Sequence, residues 1–211
     1  MREHALIFDF GNVVAFFDYG KACERLGARI GESGAVFRQR ISGGGFAGLL
    51  AQFESGRVAP EEFARAMAAI SGLDLPYREF VEVWQDIFWL NEPVARLIQD
   101  LKSRGYTLLL GSNTNVLHAT HYRRQFARTI DLFDHLIFSY EVGCLKPDGR
   151  FYLAAAAAAG LPAASCIFID DIEENVAGAR NAGLTGLLYT DTPSLIAALR
   201  RLGVEVAAED C

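Results

Sequence analysis

The sequence predicts an α/β fold with a three-layer, Rossmann-like core, in which a parallel sheet lies between two layers of helices. Three observations lead to this prediction. Short apolar runs, of the kind that is buried on both faces, recur along the chain. Helical patterns of about ten or more residues separate the later runs, as parallel crossovers require. The first run is followed by a long segment with helical patterns alone, which predicts an all-helical insertion.

Length and charge limit the classes of protein to consider. At 211 residues the chain is long enough for one large domain, or for a domain with a small appendage. Its net charge of -6 disfavours nucleic acid or an anionic membrane surface as the main partner. No apolar run approaches the ~20 residues that a membrane span needs, and no signal peptide is recognised. We therefore expect no nucleic-acid partner and no membrane partner.

The spacing of the cysteines matches neither a metal site nor a disulfide framework. Cys166 opens a predicted buried strand and is expected to fill the core. The set is typical of reduced thiols in a cytoplasmic protein. Its members are Cys23, Cys144, Cys166 and Cys211.

The first strand is predicted from four apolar residues that run directly into Asp9, after which a Gly-Asn turn follows. Asp9 would then lie at the carboxyl end of a buried strand, where open α/β sheets place their chemistry. A buried carboxylate is costly unless a cation or a hydrogen-bond donor meets it. The alternative is an aspartate that only caps or forms a turn.

The insertion is expected to span residues 16–91, with residues 1–15 and 92–211 forming the core. Asp18 is a suitable N-cap for its first helix, and Pro60 is well placed at the start of another. Nothing in the segment predicts a strand. The predicted helices cover residues 18–30, 33–41, 46–54, a stretch beginning at Pro60, and 77–90.

Strands and helices alternate again after residue 92, which is the basis for the doubly wound sheet. Glycines at the ends of several helical patterns mark where those helices end. The predicted strands cover residues 107–110, 135–139, 166–169 and 185–189. The predicted helices cover residues 94–104, 115–128, 149–159, 173–182 and 194–202.

Polar residues follow several of these strands. Asp9 follows the first, Ser112 lies at the end of another, and the pair Asp170-Asp171 ends a third. If the strand ends converge on one edge of the sheet, the repulsion between the carboxylates must be relieved by protonation or by a cation. A hard divalent cation with oxygen ligands, Mg²⁺, is the simplest solution.

These residues belong to four segments that resemble the motifs of the haloacid dehalogenase superfamily, in its order and at its usual spacing. The resemblance covers essentially the whole chain, and the insertion is similar to the helical cap of that superfamily. The acidic pair with the stretch that follows it, residues 173–183, is the most specific part. Among the branches, the chain most resembles the bacterial sugar-1-phosphate (glucose-1-phosphate) phosphatases. The four segments are Asp9-Phe10-Gly11-Asn12-Val13, Ser112-Asn113-Thr114-Asn115, Lys146-Pro147 and Asp170-Asp171.

The resemblance implies a Mg²⁺-dependent phosphomonoester hydrolase that acts on a small phosphorylated metabolite, in particular a sugar phosphate with a good leaving group. Asp9 would be the nucleophile and would form an aspartyl-phosphate. Ser112 would hydrogen-bond a phosphoryl oxygen, and Lys146 would neutralise Asp9 and the charge of the transition state. The expected assembly is a monomer or a homodimer.

The resemblance also implies how a Mg²⁺ ion is held. Asp9 and Asp171 would bind it directly, Gly11 through its backbone carbonyl, and Asp170 through water. The residues expected to contact the substrate are Asn12, Asn113 and Thr114.

One position departs from the pattern. Most phosphatases of this superfamily carry a second aspartate two residues after the nucleophile, as general acid, and this chain has Gly11 there. Such help is worth about 10²–10⁴-fold in rate. The glycine at this position therefore predicts a leaving group that needs little protonation, as in an anomeric sugar phosphate or an acyl phosphate, or a proton supplied by water or by a cap residue.

Two other functions fit parts of the same pattern. A 2-haloacid dehalogenase tolerates Gly11, because halide leaves unprotonated, but it needs no metal, whereas Asp170-Asp171 indicates one. A binding protein that kept the scaffold and lost turnover is the other alternative; the missing acid favours it, and the retained Asp9 and Lys146 disfavour it.

Several residues have a simpler structural interpretation. As an alternative to their roles at the site, Ser112 and the pair Asp170-Asp171 would each only cap a helix, and Lys146 would be a solvated surface residue. His118 and His121 are interpreted as packing or surface residues. Trp84 and Trp89 are assigned to the core of the cap rather than to substrate stacking. The residues proposed for substrate specificity, near a run of glycines, are Arg38, Arg40 and Phe46.

Overall fold

A computed structural model of the protein describes residues 4–207. Cys211 lies outside the described residues, and the other cysteines are buried free thiols. The strands are β1 (Ala5–Phe8), β2 (Ala15–Phe17), β3 (Phe88–Leu90), β4 (Thr107–Ser112), β5 (His135–Phe138), β6 (Cys166–Asp170) and β7 (Thr185–Leu188). The helices are α1 (Tyr19–Ala28), α2 (Gly34–Gly43), α3 (Phe46–Glu54), α4 (Pro60–Ser71), α5 (Tyr77–Gln85), α6 (Glu92–Ser103), α7 (Val116–Gln125), α8 (Ala127–Ile130), α9 (Ser139–Val142), α10 (Gly149–Ala159), α11 (Glu173–Asn181) and α12 (Thr192–Arg201).

The main sheet has five strands in the order β5-β4-β1-β6-β7, and all neighbouring pairs are parallel. β1 lies at its centre, where Ile7 is in register with Leu109 on one side and Phe168 on the other. The predicted α/β fold with a parallel sheet is confirmed.

Helices cover both faces of this sheet. Leu6 and Phe8 of β1 pack in one core with apolar side chains of α6 and α12. Ala5 and Ile7 point the other way and pack with side chains of α10 and α11. Because β1 is buried on both faces, it shows an uninterrupted apolar run rather than alternation.

The helical segment between β2 and β3 begins its helices at residues that suit those positions. Asp18 caps α1 by accepting a hydrogen bond of 2.7 Å from the amide of Gly20, and Ser33 caps α2. Pro60 occupies the first turn of α4, where its missing N–H costs nothing. The packing inside the segment is aromatic, and its buried rings include Phe53, Phe63, Phe80 and Trp84.

The expectation that residues 16–91 are entirely helical is wrong at both ends. β2 and β3 form an antiparallel pair in which Phe16 lies opposite Trp89, and α5 ends at Gln85 instead of continuing to residue 90. Strands of three residues are too short to show the alternation that identifies a strand in a sequence. The two chain crossings between the sheet and the helical segment therefore run side by side.

The prediction for Trp89 is also wrong. Its side chain is 43% exposed on β3, where the ammonium of Lys21 lies 4.1 Å from the centre of its ring. Trp84 is buried in the aromatic packing as expected.

Two helices elsewhere differ from expectation. The predicted helix over residues 115–128 is divided into α7 and α8, and the short helix α9 follows β5 without having been predicted. Within residues 4–207, no helix combines the length and the apolar character that crossing a membrane requires.

Candidate active site

Three neighbouring strands end in polar residues at the same edge of the sheet. Asp9 directly follows β1, Ser112 ends β4, and Asp170 ends β6. All three are buried. The amide of Asp9 donates a hydrogen bond of 2.8 Å to the carbonyl of Ile169. The backbone hydrogen bonding between β1 and β6 therefore continues as far as Asp9.

Lys146 lies between two of these carboxylates. Its Nζ donates to Asp9 Oδ1 at 2.5 Å and to Asp170 Oδ2 at 2.6 Å, and a third bond of 3.1 Å goes to the carbonyl of Gly111. Its side chain is 1% exposed, which rules out the surface lysine. Burial lowers the pKa of Lys146, but the charges of Asp9 and Asp170 outweigh it and hold the pKa above its usual value.

The loop that carries Lys146 is fixed by Asn113. Asn113 Oδ1 accepts a hydrogen bond of 2.8 Å from the amide of Lys146, and its Nδ2 donates one of 3.1 Å to the carbonyl of the same residue. The bond between Lys146 and Pro147 is cis. The Asn113 amide group is thus used in positioning the lysine.

Asp171 joins Asp9 and Asp170 in an acidic cluster whose carboxylate oxygens lie within 4.8 Å of one another. Burial, opposed by Lys146 and assisted by Asp170, raises the pKa of Asp9 to about 7. Burial also raises the pKa of Asp171, against the hydrogen bond from Asn12. One lysine does not offset three carboxylates at this spacing, and a hard divalent cation with oxygen ligands fits the donor set.

The two members of the acidic pair have different surroundings. Asp170 is fully buried and accepts hydrogen bonds from the amide of Ile172 and from Asn175 Nδ2. It therefore also braces the loop before α11. Asp171 is only half-buried and accepts a hydrogen bond of 3.1 Å from Asn12 Nδ2. Asn12 has a φ of 58°, a conformation that asparagine tolerates better than most residues.

Ser112 does not cap the next helix. Asn115 is the N-cap of α7, with its side chain accepting a hydrogen bond from the amide of His118. Ser112 and Thr114 instead line the cleft above the acidic cluster. The amide of Thr114 donates to Ser139 Oγ at 2.9 Å, which ties this loop to α9.

Gly11 lies beside an aromatic ring. A Cβ at this position would be 2.9 Å from Phe17 Cε1 and 3.7 Å from Asp9 Oδ2. The ring of Phe17 thus occupies the space into which a side chain at position 11 would extend.

The cleft over these residues has a volume of about 280 Å³. Tyr19, Leu50 and Glu54 line it from the helical segment, and none of them was predicted from the sequence. The predicted specificity residues lie elsewhere: Arg38 and Arg40 do not line the cleft, and Arg40 pairs with Glu32.

Phe46, the third predicted specificity residue, packs against the rings of Tyr19 and Trp84. It contributes to the aromatic packing behind the cleft and is not among the residues that line it.

His118 lies at the boundary between α7 and the helical segment. It is buried, as its interpretation as a packing residue requires, and its ring stacks on that of Trp84 with centroids 5.4 Å apart. Burial lowers its pKa to about 4. His121, one turn further along α7, is half-buried.

Comparison with known proteins gives consistent matches. A family model described as haloacid dehalogenase-like hydrolase matches residues 4–183. Phosphatase MT3486 of Mycobacterium tuberculosis is 32% identical over 191 residues, covering 89% of this chain and 88% of that protein. Sesquiterpene phosphatase astK of Aspergillus oryzae is 31% identical over 154 residues, covering 72% of this chain and 77% of that protein.

A solved structure extends the likeness to the fold. The HAD family enzyme bt-2542 from Bacteroides thetaiotaomicron, in complex with magnesium and inorganic phosphate, is 25% identical with a TM-score of 0.75. The superposition covers 89% of this chain and 94% of that chain. The helical segment and the acidic cluster both fall within residues 4–183, which the family model matches.

Proposed function

The chain belongs to the haloacid dehalogenase-like hydrolase family, and from that premise we propose that it is a Mg²⁺-dependent phosphomonoester hydrolase with Asp9 as nucleophile. The observation that carries the proposal is the placement of Lys146 between Asp9 and Asp170, within an acidic cluster at the sheet edge. The phosphatase names of two relatives and the magnesium and phosphate of a solved neighbour support it.

Asp9, Asp171 and the carbonyl of Gly11 are the groups proposed to hold the ion, with Asp170 acting through water. When bound, Mg²⁺ offsets the repulsion between a carboxylate and a phosphate dianion and polarises the phosphoryl oxygens. Lys146, paired with Asp9 and Asp170, favours the ionised form of the nucleophile and orients it.

The reaction would proceed in two steps. An oxygen of Asp9 attacks phosphorus, the bond to the leaving oxygen breaks, and an aspartyl-phosphate forms. Water then attacks this phosphorus and releases phosphate and free Asp9. Ser112 and Thr114 line the cleft and would donate to phosphoryl oxygens. Asn12 and Asn113 are proposed to assist by holding Asp171 and Lys146 in place.

The substrate we infer is a small phosphorylated metabolite, with a sugar phosphate as the first candidate. A cleft of about 280 Å³ suits a compact molecule. Gly11 gives the leaving group no acid, which favours an anomeric phosphate like that of a sugar 1-phosphate. In this proposal residues 16–91 act as a cap that closes over the cleft and excludes water. The enzyme would work in the cytoplasm as a monomer or a homodimer.

The test is a panel of sugar 1-phosphates, sugar 6-phosphates and alkyl monophosphates, assayed with Mg²⁺ and with EDTA. We expect hydrolysis only with Mg²⁺, with sugar 1-phosphates preferred. Asp9→Asn should lose at least about 10⁴-fold in kcat, since the nucleophile is gone. Asp74→Asn, at an exposed position, is the matched control.

Other outcomes would point to the two alternatives. Release of halide from 2-haloacids in EDTA would indicate a dehalogenase. Mg²⁺ binding without turnover of any phosphate would indicate a binding protein, and either result would overturn the proposal.

A further inference from the structure

The departing oxygen of a phosphate ester needs a proton, and Gly11 has no side chain to give one. The following inference rests on the proposed phosphatase function. The ring of Phe17 lies where a side chain at position 11 would extend, so the arrangement is built without an acid there. The attacking and leaving oxygens lie on opposite sides of phosphorus in an in-line displacement. With no acid at position 11, a donor has to come from another wall of the cleft, and the helical segment contributes Tyr19, Leu50 and Glu54 to its lining.

Six titratable side chains line the cleft within the described residues, and they are Asp9, Tyr19, Glu54, His118, Lys146 and Asp171. Asp9 and Asp171 belong to the proposed metal site. Lys146 donates its hydrogen bonds to Asp9, to Asp170 and to the carbonyl of Gly111. These three groups are thus already committed.

Two of the other candidates are poor donors. His118 accepts a hydrogen bond from Asn115 at Nδ1, and its Nε2 proton is directed to the carbonyl of Trp84. Burial and the nearby charge of Glu54 raise the pKa of Tyr19 well above its ordinary value. Glu54 is the group that remains.

Glu54 ends α3, at a point where the helical segment meets the sheet domain. Ser139 Oγ donates a hydrogen bond of 2.6 Å to the backbone carbonyl of Glu54 and accepts one from the amide of Thr114. Close packing continues at Gly56, where a Cβ would lie 2.3 Å from the carbonyl of Tyr140. The position of Glu54 is therefore fixed relative to Thr114, which also lines the cleft.

The protonation state of Glu54 suits a donor. Burial raises the pKa of its carboxyl to about 7, and among the described residues no basic side chain pairs with it. A general acid works best when its pKa lies near the working pH.

We propose that Glu54 is the general acid and base of the reaction. Its carboxyl donates a proton to the leaving oxygen as that oxygen departs with the electron pair of its bond to phosphorus, giving an alcohol. The resulting carboxylate takes a proton from the water that attacks the aspartyl-phosphate. Glu54 is then protonated again, and Asp9 and phosphate are released.

The test compares two esters of similar size, p-nitrophenyl phosphate and 2-phenylethyl phosphate, in wild type and Glu54→Gln. The aryl leaving group departs as a stabilised anion, whereas the alkyl one needs a proton. We expect kcat/KM of Glu54→Gln to fall about 10²–10⁴-fold for the alkyl ester and less than about tenfold for the aryl ester. Glu54→Asp keeps an acid on a shorter side chain, and its kcat/KM for the alkyl ester should lie between those of wild type and Glu54→Gln.

Glu62→Gln, at an exposed position on α4, is the matched control and should behave as wild type. Equal losses on both esters, no loss on either, or a wild type that hydrolyses only the aryl ester would overturn the role of Glu54 and leave the phosphatase function standing. A wild type that hydrolyses neither ester nor any member of the earlier panel would overturn both. Melting temperatures of all variants show whether a loss comes from unfolding.

Discussion

His118 Nε2 donates a hydrogen bond of 3.1 Å to the backbone carbonyl of Trp84, across the boundary between α7 and α5. The carbonyl can only accept, so the proton lies on Nε2. Nδ1 is then free to accept from Asn115 Nδ2 at 3.0 Å. Because both ring nitrogens are used and the ring stacks on Trp84, the neutral imidazole fastens the helical segment to the sheet domain.

Removing this link should lower stability. His118→Phe keeps a stacked ring but leaves the Trp84 carbonyl and the Asn115 amide without a partner in a buried place. We expect the free energy of unfolding to fall by about 1–3 kcal/mol. Urea unfolding followed by tryptophan fluorescence measures it. His121→Phe, one turn along α7 and half-buried, is the control, and an equal loss in both variants would contradict a specific role for His118.

The same histidine should make stability depend on pH. Burial, together with the charge of His121, lowers the pKa of His118 from 6.5 to about 4, against the hydrogen bond to Trp84. The unfolded chain therefore binds a proton between these values that the folded chain does not, and stability rises with pH across this range.

The contribution of His118 to stability is fully present above pH 6.5 and is lost as the pH falls towards 4. The loss at pH 4 amounts to about 3 kcal/mol. The measurement is the free energy of unfolding of wild type and His118→Phe from pH 4 to 7. The difference between the two curves should change by that amount. Parallel curves would show that the histidine stays unprotonated in both states or titrates alike in both.

Sequence patterns predicted the residues at the strand ends better than those of the helical segment. Asp9, Ser112 and Asp170 meet because parallel strands share one edge, so their convergence follows from the order of the motifs. Glu54 was missed because its place in the cleft depends on how α3 docks on Ser139, and no periodicity in one sequence reports such docking. Arg38 was proposed because it is a charged residue near a run of glycines. That position does not determine which face of the helix points towards the cleft, and Arg38 does not line it.

Lys146 should be needed for stability as well as for activity. Lys146→Met leaves Asp9 and Asp170 buried without their cation, and breaking a buried pair in this way costs about 3–5 kcal/mol. Adding Asp170→Asn removes one of the two uncompensated charges and should recover part of the loss. Chemical denaturation in EDTA measures the free energy of unfolding of both variants. The control is Lys102→Met, which breaks an exposed ion pair with Asp134.

A double variant that is less stable than Lys146→Met would contradict this account. It would mean that Asp170 contributes more through its hydrogen bonds to Ile172 and Asn175 than it costs as an unpaired charge.

Asp171 should determine how tightly Mg²⁺ is held. It is the member of the acidic cluster that lies half-buried at the cleft, so its carboxylate is free to bind an ion without giving up a buried ion pair. Asp171→Asn replaces a charged oxygen ligand by a neutral one and weakens the hydrogen bond from Asn12. We expect Mg²⁺ affinity, measured by titration calorimetry, to fall more than tenfold, or by more than about 1.4 kcal/mol. Asp74→Asn should bind as wild type does, and an unchanged affinity in Asp171→Asn would place the ion elsewhere.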